Sequence, residues 1–248
     1  MTYTVVAPDF RGYGQSDKPE TGYEVQTMVE DLRQLLDQLG IKSANVVGHD
    51  LGGIVAYVYA AEHRDQVSQL GIIEAPIIGV PSPTMQRVLA SYWHIGFYAH
   101  PRLPELLIAG RERDYLAEFI RTYQHNREAF DKEDLDEYAH HIASPGGLRG
   151  MLGVYRAIAA KAQDLIQLTQ TKLTVPVWAV GGDHSMEHGA FRTVSTPGGN
   201  SHRWCHRKLR TLGDRRTARQ GSGRSRRIPP PVTGRIQPRE EYSPGTGQ

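Results

Sequence analysis

Val46-Val47-Gly48-His49-Asp50-Leu51-Gly52-Gly53 is the stretch that decides the fold of this chain. A strand-forming segment, Ala44–Val47, runs into a turn of small residues, and a helix-forming segment follows from Gly52 to about Glu62. This is the strand–turn–helix layout of a nucleophile elbow, in which a sharp turn lifts one side chain above a sheet. The glycines suit it, because a backbone turning this tightly leaves no room for Cβ atoms where strand and helix pack. Serine occupies the tip in the commoner form; here the tip is Asp50. A carboxylate is poorly suited to amide cleavage, but it can displace a leaving group at a saturated carbon and form an ester. The competing reading is an aspartate that merely N-caps the helix starting at Leu51 or Gly52.

Working outward, Tyr3–Ala7 reads as a buried strand that Pro8 and a glycine-rich turn terminate. Val25, Met28, Val29, Leu32, Leu35, Leu36 and Leu39 recur at helical spacing and predict an amphipathic helix. Thr27 and Glu30 have capping-box spacing, and Gly40 supplies a stop. Gln69–Ile73 reads as the strand after the elbow helix. Strand–helix alternation of this kind argues for a parallel sheet covered on both faces. Residues 79–170 turn helical and rich in Tyr, His, Arg and Glu, the pattern of an inserted cap. Leu173–Val180 returns to strand and ends in Gly181-Gly182-Asp183-His184. The expected division is therefore 1–78 core, 79–170 helical cap, 171–186 returning core strand and 187–248 a disordered basic tail.

The 248 residues suffice for one α/β domain with a real core. No apolar run approaches a membrane span, and no basic segment followed by an apolar stretch marks a secretory signal near Met1, so the cytoplasm is the expected compartment. Cys205 is the only cysteine, which excludes an intrachain disulfide. His125, His140 and His141 lack metal-ligand spacing, and His140-His141 is expected on an exposed helix face. Gly12-x-Gly14 continues into Gln15-Ser16 without a third spaced glycine, so no phosphate loop is read there. The formal charge of +2 hides an asymmetry. Residues 187–248 hold 13 Lys+Arg against 4 Asp+Glu, and residues 1–186 hold 16 against 23. That tail, with Ser222-Gly223-Arg224-Ser225-Arg226-Arg227 and Pro229-Pro230-Pro231, is too poor in apolar surface to offset its ordering entropy.

Three segments together resemble the epoxide hydrolase branch of the α/β-hydrolase family. They are the Asp50 elbow, the upstream Pro8-Asp9-Phe10-Arg11-Gly12-Tyr13-Gly14-Gln15-Ser16 loop and the downstream Ile73-Glu74-Ala75-Pro76. Trp93-His94-Ile95-Gly96-Phe97 and Ala109-Gly110-Arg111-Glu112-Arg113 resemble that branch's cap. The likeness covers roughly residues 3–186. It implies an α/β fold, an incomplete α/β-hydrolase with a mostly parallel sheet and an inserted helical cap. It also implies water addition to a small epoxide, giving a vicinal diol without cofactor or metal. Asp50 would be the nucleophile and the Leu51 amide an oxyanion donor. Glu74, with Asp183 as the alternative, would be the acid that orients a catalytic histidine. Tyr155 and His94 would be the ring-opening acids; for His94 the plain alternative is packing on an amphipathic helix. Arg11, Gly12 and Gly14 read as scaffold. A haloalkane or haloacid dehalogenase uses the same aspartate elbow, with Trp93 as the candidate halide donor. A non-enzymatic remnant with a basic binding tail is the remaining alternative. Membrane and nucleic acid are not expected partners, and a homo-oligomer is compatible with the sequence.

The same resemblance implies strands ahead of Tyr3, a His-Gly-x-Pro turn that supplies a second oxyanion donor, and a histidine in a Gly-His-Trp context after the last strand. Neither motif occurs; His188-Gly189-Ala190-Phe191 lacks the proline. The chain is therefore expected to be truncated at its start and frameshifted near Glu187. One permitted codon choice for Trp204 to Arg215, read one nucleotide later, translates as Gly-Val-Ile-Glu-Asn-Cys-Gly-His-Trp-Val-Ile. That reading places the lost histidine codon across Thr211 and Leu212.

Overall fold

A computed structural model of the chain describes residues 3–75, 92–170 and 173–181. Its elements run in the order α1 (Val25–Gln38), β1 (Ala44–His49), α2 (Leu51–Glu62), β2 (Val67–Ile73), α3 (Trp93–Ala99), α4 (Leu103–Ile108), α5 (Glu112–Tyr123), α6 (Lys132–Ala143), α7 (Gly147–Ala160), α8 (Ala162–Thr169) and β3 (Val177–Val180), with one 3₁₀ turn at Arg64–Gln66. The strands form a parallel sheet in the order β1-β2-β3. Gly48 pairs with Ile72, and Ile72 pairs with Ala179. The central strand is buried at Val67, Leu70 and Ile72, as expected where helices cover a parallel sheet.

Helix α2 joins the two parallel strands. It buries Gly53–Ala60 without a polar face, because it lies against β1 and β2 on one side and α1 on another. Helix α1 buries Val25, Met28 and Val29 and leaves Leu39 exposed. Two residues past its end, Gly40 has a φ of 69°, a left-handed stop. The helix starts a turn earlier than the Thr27–Glu30 spacing predicts. Glu24 is its N-cap residue, without a side-chain capping bond, and the Thr27 amide already donates to the Glu24 carbonyl at 3.0 Å. The apolar stripe begins at Val25, so burial extends the helix past the local polar signal. Glu30 instead accepts from Arg33 and Gln34 on the exposed face. A capping box does form elsewhere, between Asp131 and Asp134 at the start of α6.

Tyr3–Ala7 is not the buried strand its pattern predicts. The segment makes no strand ladder among the described residues, and Tyr3, Val5 and Val6 are exposed. β-branched alternation favours extended backbone, but a strand also needs a hydrogen-bonded neighbour, and β1 is the last described strand on its side of the sheet.

Beyond the extended segment, residues 9–18 close on themselves. Gln15 N donates to Asp9 Oδ2 at 2.9 Å, Gly12 N to the Asp17 carbonyl at 2.8 Å, and Lys18 Nζ to the Gly14 carbonyl at 2.7 Å. The Arg11 fork holds both oxygens of Asp31 on α1 at 2.6 Å, in keeping with a scaffold role. Gly12 has a φ of 85°, and a Cβ there would stand 2.6 Å from the Tyr23 ring and 2.9 Å from Gly150 Cα on α7.

From Trp93 to Thr169 every described regular element is helical. Two apolar clusters result. The larger lies between α1, α2 and the sheet; the smaller joins Tyr98, Ile108 and Leu152. Helix α7 serves both. Val154, Ala157 and Ile158 pack on the first, and Leu148, Met151, Leu152 and Tyr155 on the second. The returning strand is shorter than Leu173–Val180, covering Val177–Val180. No helix among the described residues is long and apolar enough to cross a membrane. Asp183 and residues 187–248 lie outside the described residues.

Candidate active site

The end of β1 and the start of α2 present Asp50 on a backbone that L-residues rarely adopt, with φ 50° and ψ −121°. Among the described residues only one other non-glycine has a positive φ, and it is Glu74, also at 50°. Conformations of this kind cost on the order of 1–3 kcal/mol each and persist where surrounding structure holds them. Here the holding bonds are visible. Asp50 N donates to the Ile73 carbonyl at 3.0 Å, and Glu74 N donates to the Val180 carbonyl at 2.9 Å. Each carboxylate thus stands just past the C-terminal end of one strand, and its amide is tied to the neighbouring strand.

Glycine makes the crossing behind Asp50 feasible. A Cβ on Gly48 would overlap the Gly52 carbonyl, and a Cβ on Gly53 would overlap Ala75. Asp50 sits at the N-cap position of α2 yet makes no side-chain capping bond, so a helix cap does not account for its conformation. Leu51 opens α2 directly after it. Asp50 remains exposed at its rim, but the protein crowded around its carboxyl raises the pKa. His49 and the Leu51 amide favour the charged form, and the Glu74 charge opposes it.

Helix α7 carries Tyr155. Burial raises its pKa first, and the Asp50 charge adds to that. The Tyr155 phenol is therefore a neutral donor within electrostatic reach of Asp50. His94, on α3, is the only buried described side chain that is neither apolar nor a tyrosine, at 7% exposure. Burial lowers its pKa to about 4, so the imidazole is neutral at pH 7. Its Nδ1 lies 3.0 Å from Tyr123 Oη, which leaves Nε2 for another partner. The His94 and Tyr155 rings meet edge to face with centroids 5.8 Å apart. Trp93 is 47% exposed and stands edge-on to His94 at 6.1 Å.

The structure therefore brings Asp50 within electrostatic reach of Tyr155, sets His94 against Tyr155, and places Glu74 one strand along from Asp50. Asp183 lies outside the described residues. His140 is exposed, as expected, whereas His141 is half-buried, with Nε2 2.9 Å from Glu137 Oε1. Among the described residues no three His, Cys, Asp or Glu side chains cluster as a metal would need.

Sequence reasoning passed over three tyrosines. Tyr13, between Gly12 and Gly14, has a buried hydroxyl with no hydrogen-bond partner among the described residues, and burial and then the Asp50 charge raise its pKa. Tyr115 Oη donates to Tyr98 Oη at 2.6 Å, and the Tyr98 ring lies 4.7 Å from that of Tyr155. The only local signal for Tyr13 was its place between two glycines; Tyr98 and Tyr115 carried none.

A sequence profile for the alpha/beta hydrolase fold matches residues 2–94. The soluble epoxide hydrolase of Corynebacterium sp. (strain C12) is 35% identical over 191 residues, covering 73% of this chain and 65% of that protein. Among solved structures, Cfl2 from Burkholderia cenocepacia aligns with a TM-score of 0.69 and 34% identity over 80% of this chain and 70% of that one. The epoxide hydrolase CorEH aligns with a TM-score of 0.68 and 31% identity over 79% of this chain and 72% of that one. The chain spans 65%, 51% and 54% of the length of three curated relatives that it matches.

Proposed function

The chain belongs to the epoxide hydrolase branch of the α/β-hydrolase family, and from that premise we propose that Asp50 opens small epoxides through a covalent alkyl-enzyme ester. What supports the reading is the strained, uncapped Asp50, with the Tyr155 phenol near enough to feel its charge. An Asp50 carboxylate oxygen attacks one epoxide carbon; the C–O bond to that carbon breaks as the ester bond forms. The ring oxygen leaves as an alkoxide and takes a proton from Tyr155, with His94 Nε2 as the second donor when Nδ1 accepts from Tyr123. A neutral phenol suits this step, because the ring oxygen becomes basic enough to take its proton only as the C–O bond breaks.

Release of the diol requires water to attack the ester carbonyl, with the Leu51 amide stabilising the oxyanion and a histidine held by Glu74, or by Asp183, taking the water proton. The sequence Gly-His-Trp does not occur in residues 187–248, and the frameshift reading accordingly expects the ester to accumulate. Intact-mass measurement after incubation with styrene oxide tests the reading. One stable adduct on the Asp50 peptide, absent in Asp50→Asn, is expected. Adduct formation or diol production that survives Asp50→Asn overturns it. Halide displacement is the second enzyme reading, since Trp93 borders the same aromatic wall; faster halide release than ester formation from styrene oxide would favour it. Salt-sensitive DNA binding lost on deleting residues 187–248 would favour a basic-tailed binder.

A further inference from the structure

Arg156 follows Tyr155 on α7, and its side chain reaches away across the cap. Its Nε donates to the Tyr98 carbonyl at 3.1 Å, and Nη2 to the His100 carbonyl at 2.6 Å. Nη1 and Nη2 together grip Glu105 of α4, at 2.6 and 2.9 Å. The two carbonyls belong to the C-terminal end of α3, where carbonyls lack intrahelical partners and a cation is favoured. Glu105 responds as a gripped carboxylate should: the hydrogen bond from Arg156 holds its pKa below the ordinary value. Side-chain exposures of 27% and 36% leave the pair partly shielded from solvent. One guanidinium thus ties α7 to the end of α3 and to α4.

The position of that tie matters. His94 lies one helical turn before Tyr98 on α3, and Tyr155 immediately precedes Arg156 on α7. Pinning the Tyr98 and His100 carbonyls to α7 therefore fixes both the height and the rotation of α3 against the Tyr155 ring. A planar fork with several donors suits this task, whereas a lysine has a single point of attachment.

We propose that Arg156, latched to Glu105, is a positioning residue that holds His94 and Tyr155 at the separation needed to share one substrate oxygen. This inference rests on the epoxide-opening reading above. The latch would then act on the step that protonates an oxygen, and it would leave the nucleophile untouched.

Two alkylating probes separate the roles. Styrene oxide needs its oxygen protonated as Asp50 attacks; benzyl bromide offers a similar ring and leaves as bromide without a proton. Rates of Asp50-peptide esterification by each are measured by mass spectrometry in the full chain and in Arg156→Met, Arg156→Lys and Glu105→Gln. Expected is a tenfold or greater loss with styrene oxide in Arg156→Met and a smaller loss in Arg156→Lys. In Glu105→Gln, which keeps both carbonyl bonds, the loss is two- to fourfold. Benzyl bromide rates stay within threefold throughout. Equal losses with both probes would reduce the latch to general stability, and unchanged styrene oxide rates would remove it; either overturns the proposal. An unlabelled Asp50 in the unmodified chain with both probes overturns instead the reading on which it rests.

Discussion

His94 offers the sharpest test of how the helices from Trp93 to Thr169 pack, because an imidazole is held neutral in a nearly closed aromatic cage. Burial lowers its pKa to about 4 from 6.5. Between those values the unfolded chain binds a proton that the folded chain refuses, so stability falls as pH falls. The contribution is complete above pH 6.5 and is lost progressively down to about 4. At about 1.4 kcal/mol per pH unit the loss amounts to about 3 kcal/mol. Asp50 works in the opposite sense, since its pKa is raised, and comparison with a variant cancels it. His94→Phe preserves the ring contacts with Tyr98, Phe119 and Tyr155 and removes the titration. The assay is urea unfolding followed by circular dichroism at pH 7, 6, 5 and 4.5. His94→Phe should lose stability less steeply than the parent, with the gap closing by about 2.5 kcal/mol between pH 7 and 4.5. Tyr123→Phe, which keeps the imidazole, should retain the parent slope. Identical pH slopes for parent and His94→Phe would refute the reasoning, since the cage would then not be excluding the charged form.

Four further outcomes follow from the packing and the sequence. Gly53→Ala places a Cβ on Ala75 and should lower stability by about 3 kcal/mol, with partial recovery in the Gly53→Ala/Ala75→Gly double variant; an unchanged melting temperature would mean the elbow crossing is looser than described. A double-mutant cycle of Arg11→Met and Asp31→Asn should give a coupling of about 1 kcal/mol, and a coupling near zero would deny the pair its part in anchoring the loop. Val47, 60% exposed on β1, the outermost described strand, should promote self-association through an uncovered apolar sheet face; sedimentation velocity should show Val47→Lys self-associating less, and an unaltered distribution would count against it. The nucleotide sequence over Trp204–Arg215 should be compatible with the shifted Gly-His-Trp reading, and incompatible codons would remove the frameshift idea.

The elbow was legible in the sequence because every requirement is local. Strand propensity, three glycines and an acid at the tip lie within eight residues, and the same residues dictate the turn that throws Asp50 forward. The α1 stripe was legible for the same reason, although its first turn was decided by burial of Val25 rather than by Thr27. The family resemblance then singled out His94 and Tyr155, but it left open whether His94 was a packed core residue or a donor. Position in the fold alone shows it neutral, tied to Tyr123 and set against Tyr155.

What only the tertiary structure decided is contact between residues far apart in the chain. Tyr3–Ala7 has a strand's pattern, yet a ladder depends on a neighbour that no local pattern supplies. Arg156 meets Tyr98 across 58 positions, and Tyr13 feels Asp50 from a separate loop. Short-range sequence encodes backbone geometry through sterics and periodicity. The electrostatic environment of a side chain depends on whichever distant groups exclude water from it, and that is set when the helices pack.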